Sequence, residues 1–368
     1  MGATRRQQRN WPRNWAAIAL GCLLVRLAAV HRLDGSEPAA NAAAAAGPLR
    51  LSPSAPQHTD HSGVLELVWL APNNEFWEGD FLRDVLRRTG RTVVTRTVEP
   101  EAAACASSGG SFTVVVPRWI SLMDRLPPEF QNGSCTYGII HPSDEGLYEW
   151  PAPQYNRPGV HFVLRQYALP PGSLSDTMRP FGLGYKLGFW DRHLGPEAAA
   201  AHISARPLAW SFAGTVHHEE RRQALELFAG LTPNSVTHSS AFNAPDGLAT
   251  AAYRDTLLSS RFVLCPLGHV NLDTFRLYEA LEAGAIPVSM STNPMLIGLN
   301  YSGPYWPLVF GSDAPWVVAD TWEAAYAEVS ALLAGPVHQL EQRRQRVLAF
   351  WQQHKEDVAR FVSKAIES

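Results

Sequence analysis

The chain has 368 residues, 46% of them hydrophobic and 18% charged, and its 31 basic and 34 acidic residues leave a formal net charge of -3. That size and apolar content suit one large or two ordinary globular domains with a real core. The near-neutral balance, with no long basic run beyond the N-terminus, argues against a nucleic-acid-binding role.

Residues 1–33 read as a targeting element. Arg5, Arg6, Arg9 and Arg13 precede an apolar run from Trp15 to Val25, which resumes after Arg26 as Leu27 to Val30. Basic residues ahead of an apolar stretch orient it with the N-terminus in the cytoplasm. The pattern predicts a cytoplasmic tail with a signal anchor or, as the alternative, a cleaved signal peptide. Residues 34–62 are rich in Ala, Pro, Ser and Gly and carry no apolar periodicity, which predicts a flexible stem. The expected layout is a single-pass type II protein of the Golgi or endoplasmic reticulum membrane with its head in the lumen. A secreted protein is the other reading.

Residues 63–172 read as a first domain. Short apolar runs at Val64–Leu70, Thr92–Val98, Phe112–Val116, Tyr137–Ile140 and His161–Arg165 are bounded by turn residues, with a helical stretch from Phe76 to Arg88. Strands alternating with helices predict βαβ units around a parallel sheet. The breaker-rich segments Pro170–Gly172 and Pro180–Gly188 suggest a connection between domains.

A second alternating series fills residues 173–336. Strands are expected at Leu208–Phe212, Asn234–Thr237, Arg261–Cys265 and Ala285–Val288, and helices at Glu219–Ala229, Tyr253–Ser259, Thr274–Ala283 and Trp322–Ala334. In residues 337–368, Leu340, Val347, Trp351, Val358, Phe361 and Ala365 recur at helical spacing, predicting one long amphipathic helix or two, able to cross back to the first domain. The expected fold is α/β, two Rossmann-like domains facing a cleft. Cys105 and Cys135 are free to pair in an oxidising compartment, but spacing does not fix the connectivity.

In open α/β sheets, ligands gather at the carboxyl ends of strands and the amino ends of the following helices. The stretch from Ser260 to Pro287 has that form: a strand, a Pro/Gly turn, Asp273 as the expected N-cap, then Arg276 and Glu279 one turn apart. A fixed cation beside free helix N–H groups suits a diphosphate, and Glu279 suits ribose hydroxyls. A plain surface ion pair is the competing reading of Arg276 and Glu279.

Ser260, Phe262, Leu264, Cys265, Pro266 and Gly268, followed by Arg276, Glu279, Ala280, Gly284, Ile286, Pro287 and Val288, resemble the nucleotide-binding block of exostosin-like glycosyltransferases. Phe212, Gly214, Arg221 and Arg222 resemble that family's F-x-G turn with its basic residue, and the segments Gly182–Lys186 and Val163–Tyr167 are similar to further parts of it. The likeness covers about residues 137–288.

The resemblance implies a GT-B fold in which the second domain binds the nucleotide sugar and the first the acceptor. It also implies inverting transfer from a UDP-sugar to a glycan or glycoprotein. Such chemistry needs charge neutralisation at the leaving diphosphate and a base for the acceptor hydroxyl. Gly214, Gly268, Arg276, one of Arg221 or Arg222, and Lys186 are the candidates for donor binding, with Glu279 on the ribose and Glu282 behind it. Asp144 or Glu145, just past a first-domain strand, is the candidate base, though Pro142 to Glu145 is also ordinary turn chemistry.

No Asp-x-Asp occurs in the sequence, so no metal is expected for donor binding, and no G-x-G-x-x-G follows a strand, so no dinucleotide cofactor is expected. His217 and His218 read as a turn or phosphate contact rather than a metal pair. The rival functions are a catalytically inactive sugar-binding relative and a secreted structural module.

Overall fold

The computed structural model describes residues 63–70, 77–106, 109–190 and 196–368. The expected signal anchor and stem lie outside the described residues. No described helix is long and apolar enough to cross a membrane.

The first lobe is a six-stranded parallel sheet in the order β2-β1-β3-β4-β5-β6. Its strands are β1 (Val64–Leu70), β2 (Thr92–Val98), β3 (Ser111–Pro117), β4 (Tyr137–His141), β5 (Val160–Arg165) and β6 (Met178–Pro180). Strands covered on both faces read as continuous apolar runs, and the central β1, β3 and β4 are of that kind, buried along most or all of their length. Helix α1 (Gly79–Arg87) turns Phe81, Leu82, Val85 and Leu86 inward. Cys105 and Cys135 are joined by a disulfide, with Cα atoms 5.8 Å apart. A cross-link closing a loop of this length restricts the unfolded chain by roughly 3.5–4 kcal/mol. The sixth strand comes from residues read as the start of the second domain.

The second lobe is a five-stranded parallel sheet in the order β11-β10-β9-β7-β8, formed by β7 (Leu208–Gly214), β8 (Asn234–His238), β9 (Ser260–Leu264), β10 (Ile286–Met290) and β11 (Val317–Ala319). Helices α2 (Glu219–Phe228), α3 (Thr250–Leu258), α4 (Phe275–Glu282) and α5 (Trp322–Ala334) connect and cover it. The direction of winding reverses between β7 and β9. A crevice opens outside the carboxyl ends of the strands at such a switch point, which makes it the default ligand position in an open parallel sheet.

The C-terminal residues form one unbroken helix, α6 (Val337–Glu367). Leu340, Val347, Trp351, Val358 and Val362 are buried along one face, as the spacing predicts. α6 runs across both lobes. Its Lys355, 1% exposed, donates to both carboxylate oxygens of Glu282 on α4, at 3.0 and 3.2 Å, and lies 3.2 Å from Asp84 on α1. Arg88 reaches Glu356 at 2.5 Å and Gln352 at 3.1 Å, and Arg179 donates to the carbonyl of Asp357 at 3.0 Å.

Candidate active site at the switch point

The loops after β7 and β9 meet around the first turn of α4. Arg276, the second residue of α4, extends back to β7. Its Nε donates to the carbonyl of Ala213 at 3.0 Å, and its guanidinium carbon lies 4.5 Å from the centroid of the Phe212 ring. A β-carbon on Gly214, whose φ is +148°, would stand 2.5 Å from Arg276 Nη2. Glycine at 214 therefore lets the guanidinium lie flat over the end of the strand.

Two buried polar atoms here have no hydrogen-bond partner among the described residues: Arg276 Nη1 and Thr274 Oγ1. Thr274 is the N-cap residue of α4, yet its side chain makes no capping bond. A buried donor left unpaired costs ~1–3 kcal/mol, and here a cation and a hydroxyl are both unpaired at the positive end of a helix.

Asp273 is not the cap the sequence suggests. Its carboxylate is 1% exposed and accepts hydrogen bonds from the hydroxyls of Tyr278 and Tyr305, the latter at 3.2 Å. Burial pushes its pKa up to about 7, against the downward pull of the two phenol hydrogen bonds. A raised carboxyl pKa means the folded state holds a proton that the unfolded state has released. Stability therefore falls as pH rises from the ordinary carboxyl range, near 4, toward 7. Asp273→Asn should flatten that slope by on the order of a few kcal/mol, as read from urea midpoints at pH 4 and pH 7. A slope the same as the parent's would rule this assignment out.

Glu279 is 5% exposed and is no surface ion-pair partner. Its carboxylate accepts from the backbone N–H of Lys186 at 3.2 Å and the hydroxyl of Tyr253 at 2.9 Å, and burial raises its pKa. It is held in place one turn beyond Arg276. The Lys186 side chain bonds Asn243 and lies 5.4 Å from the Phe242 ring. Phe242 stacks near-parallel with Phe275, the first residue of α4, at 6.3 Å, leaving an aromatic face beside the helix start.

The structure corrects several other expected roles. The guanidinium nitrogens of Arg221 all donate to loop oxygens: Leu267 and Gly268 carbonyls at 2.7–2.9 Å, and Thr215 O and Oγ1 at 2.7 Å each. Arg221 is thus a strut that clamps the β9 loop onto the β7 loop, not a free diphosphate ligand. Its burial lowers its pKa to about 10, with Arg276 adding repulsion. Arg222 points outward and pairs with Glu219 at 2.7 Å. Glu282 is buried against Lys355, Trp190 and Trp351, so it does not stand behind Glu279 as a ribose ligand.

Of the two base candidates, Asp144 is locked in. It is buried, pairs with Arg165 at 2.5 Å, and accepts the backbone N–H of Tyr148 at 2.8 Å. His141, which ends β4, is fully buried between Tyr155, Glu149 and Arg165, and burial lowers its pKa. Glu145 does cross between the lobes. Its Oε1 accepts the backbone N–H groups of His269 and Val270 at 2.9 and 3.0 Å, and Asn271 Nδ2 donates to its carbonyl at 3.3 Å. A β-carbon on Gly268 would meet Asn271 O at 2.8 Å, and Glu145 Oε1 and Thr274 Cγ2 at 3.0 Å. Glycine at 268 therefore allows this close approach, and the Glu145 carboxylate lies beside Thr274 and the start of α4.

Thr274, Tyr253 and Asn271 carry no sequence signal of a role. Each becomes visible only when loops far apart in the chain are brought together.

Glu145 follows β4 of the first sheet and His269 follows β9 of the second, so the carboxyl ends of the two sheets face each other. Two opposed parallel-sheet α/β lobes, with a C-terminal helix spanning both, define the GT-B class of fold. Within that class, residues 195–368 match the family described as RXYLT1 C-terminal domain. The curated relatives include ribitol-5-phosphate xylosyltransferase 1 of Homo sapiens, 26% identical over 174 residues, and that of Mus musculus, 29% identical over 175. Each alignment spans 44% of this chain and 38% of the relative's length. Among solved structures, an O-GlcNAc transferase mutant of Thermobaculum terrenum aligns over 84% of this chain and 67% of its own, at 11% identity and a TM-score of 0.44. The family that these comparisons name is the xylosyltransferase one, not the exostosins.

Proposed function

We propose that the chain is a glycosyltransferase that moves a sugar from a nucleoside diphosphate donor, a UDP-sugar, to a hydroxyl of a glycan or glycoprotein, with inversion at the anomeric carbon. The observation that carries this reading is the pair of unpartnered buried groups, Arg276 Nη1 and Thr274 Oγ1, at the start of α4 on the switch point. A diphosphate satisfies both at once and gains the positive end of the helix dipole.

In this reading the bond from C1 to the diphosphate oxygen breaks as the acceptor oxygen bonds to C1. Negative charge then grows on the leaving group where Arg276 and the helix N–H groups can meet it. Glu145 takes the acceptor proton, and the oxocarbenium-like sugar is flanked by the two lobes. Glu279 orients the ribose, and the Phe242–Phe275 face, with Lys186 beside it, takes the base by stacking. Gly214 and Gly268 permit the close backbone approach.

The named relatives make xylose the first donor sugar to try and a ribitol-phosphate-bearing glycan the first acceptor. The disulfide suits an oxidising lumen, in line with a membrane-anchored head. An inactive sugar-binding relative is the second reading. It is favoured by Asp144 being locked to Arg165 and by the two backbone hydrogen bonds that Glu145 already accepts.

A panel of nucleotide sugars incubated with the full chain separates the two. Turnover of one UDP-sugar together with a UDP-dependent rise in Tm is the expected result. A rise in Tm with no turnover of any donor would leave the inactive relative, and neither effect would end the nucleotide-site reading.

A further inference from the structure

Three histidines gather on the same two loops that Arg221 clamps together. His217 and His218 follow the Gly214 turn, and His269 follows Gly268. One ring nitrogen of each lies within 4.8 Å of those of the other two. The ring centroids of His217 and His218 are 4.1 Å apart, and each is 6.2–6.3 Å from that of His269.

Hydrogen bonds engage one ring nitrogen on each of His217 and His218. His218 Nε2 donates to the backbone carbonyl of His269 at 2.8 Å, so Nε2 carries the proton and Nδ1 keeps its lone pair. His217 Nδ1 lies 2.7 Å from Thr215 Oγ1, which leaves Nε2 as the nitrogen able to bind an ion. A ring whose second nitrogen is held by a carbonyl or hydroxyl is the usual support for a metal-bound imidazole. The His218 bond also ties the third ligand's loop to the first two.

We propose that His217, His218 and His269 form a site for a divalent transition-metal ion, Zn²⁺ being the best fit to three imidazoles with an open fourth position. Zn–N bonds of about 2.0–2.1 Å in a tetrahedron place the nitrogens about 3.4 Å apart. The ligand atoms lie within 4.8 Å of one another, so they must draw in by about an ångström, and His217 and His269 are exposed. The lack of an Asp-x-Asp has no bearing on this donor set, which is nitrogen rather than oxygen. An ion here would bring a double positive charge onto the loops that border the start of α4. The pair at 217 and 218 is visible in the sequence, but the ligand that completes it is 51 residues beyond His218.

The probe is the metal alone. Co²⁺ titrated into the untagged full chain should give a saturable visible absorption of four-coordinate intensity at one ion per chain, displaced by Zn²⁺. His217→Ala and His269→Ala should each weaken Co²⁺ binding by at least ~10-fold, the lower end of what even a supporting residue contributes, with unchanged circular dichroism. Should either variant fold poorly, His→Gln at that position takes its place. Absence of saturable binding, a weak six-coordinate spectrum, or unchanged affinity in either variant overturns the site. No nucleotide enters the experiment, so the result stands apart from the transferase reading.

Discussion

Lys355→Met is expected to lower stability by ~3–5 kcal/mol, since removing one member of a buried ion pair leaves the other uncompensated. Lys355 and Glu282 are each about 1% exposed. Glu282 would retain only the indole N–H donors of Trp190 and Trp351 as it lost its cation. The same lysine lies 3.2 Å from Asp84 on α1, so its loss also loosens the tie between the first lobe, α6 and α4. A fall in Tm on the order of 10 °C should be seen by calorimetry of the full chain. The double variant Lys355→Met with Glu282→Gln should recover much of that fall, because the stranded charge is removed with its partner. If the single variant melts with the parent, the helix does not hold the lobes in the way described.

Glu145→Gln is expected to reduce turnover by ~10²–10⁴-fold, the usual contribution of a general base, while leaving UDP affinity within a few fold. Glutamine keeps an oxygen that can accept the N–H groups of His269 and Val270, so the loop stays in place and the change isolates the proton-accepting role. Asp144→Asn tests the converse. Its carboxylate is consumed by Arg165 and the turn amides, so its loss should appear as lower stability. The assignment of the base fails if turnover is insensitive to Glu145→Gln.

Much of the fold is legible in the sequence for a plain reason. Parallel strands covered on both faces are unbroken apolar runs, and Val64–Leu70 and Tyr137–His141 can be read directly. Strand β6, three residues that include an arginine and a proline, has no such signature and exists because β5 offers it an edge. The site was legible in position and less so in role. Arg276 and Gly214, both read as donor-binding candidates, are adjacent in space, and a β-carbon at 214 would stand 2.5 Å from Arg276 Nη2.

Arg221 and Asp273 show where one-dimensional reading stops. Arg221 lies in a charged run, Glu219–Arg222, that looks solvated, yet besides Thr215 its partners sit in a loop 46 residues away. Asp273 has the type and position of an N-cap, but two tyrosine hydroxyls, one of them 32 residues on, draw it into the core. For Asp273 a long-range hydrogen bond outweighs a capping preference worth ~1 kcal/mol.

In the proposed function a diphosphate binds against the Arg276 guanidinium at the first turn of α4. Titration of UDP into the full chain and into Arg276→Ala, followed by calorimetry, tests it most directly. Loss of one charge-assisted contact of ~1.5–3 kcal/mol should weaken UDP binding by ~10–150-fold with no change in secondary structure. Equal affinities in the two proteins would contradict the assignment of this site.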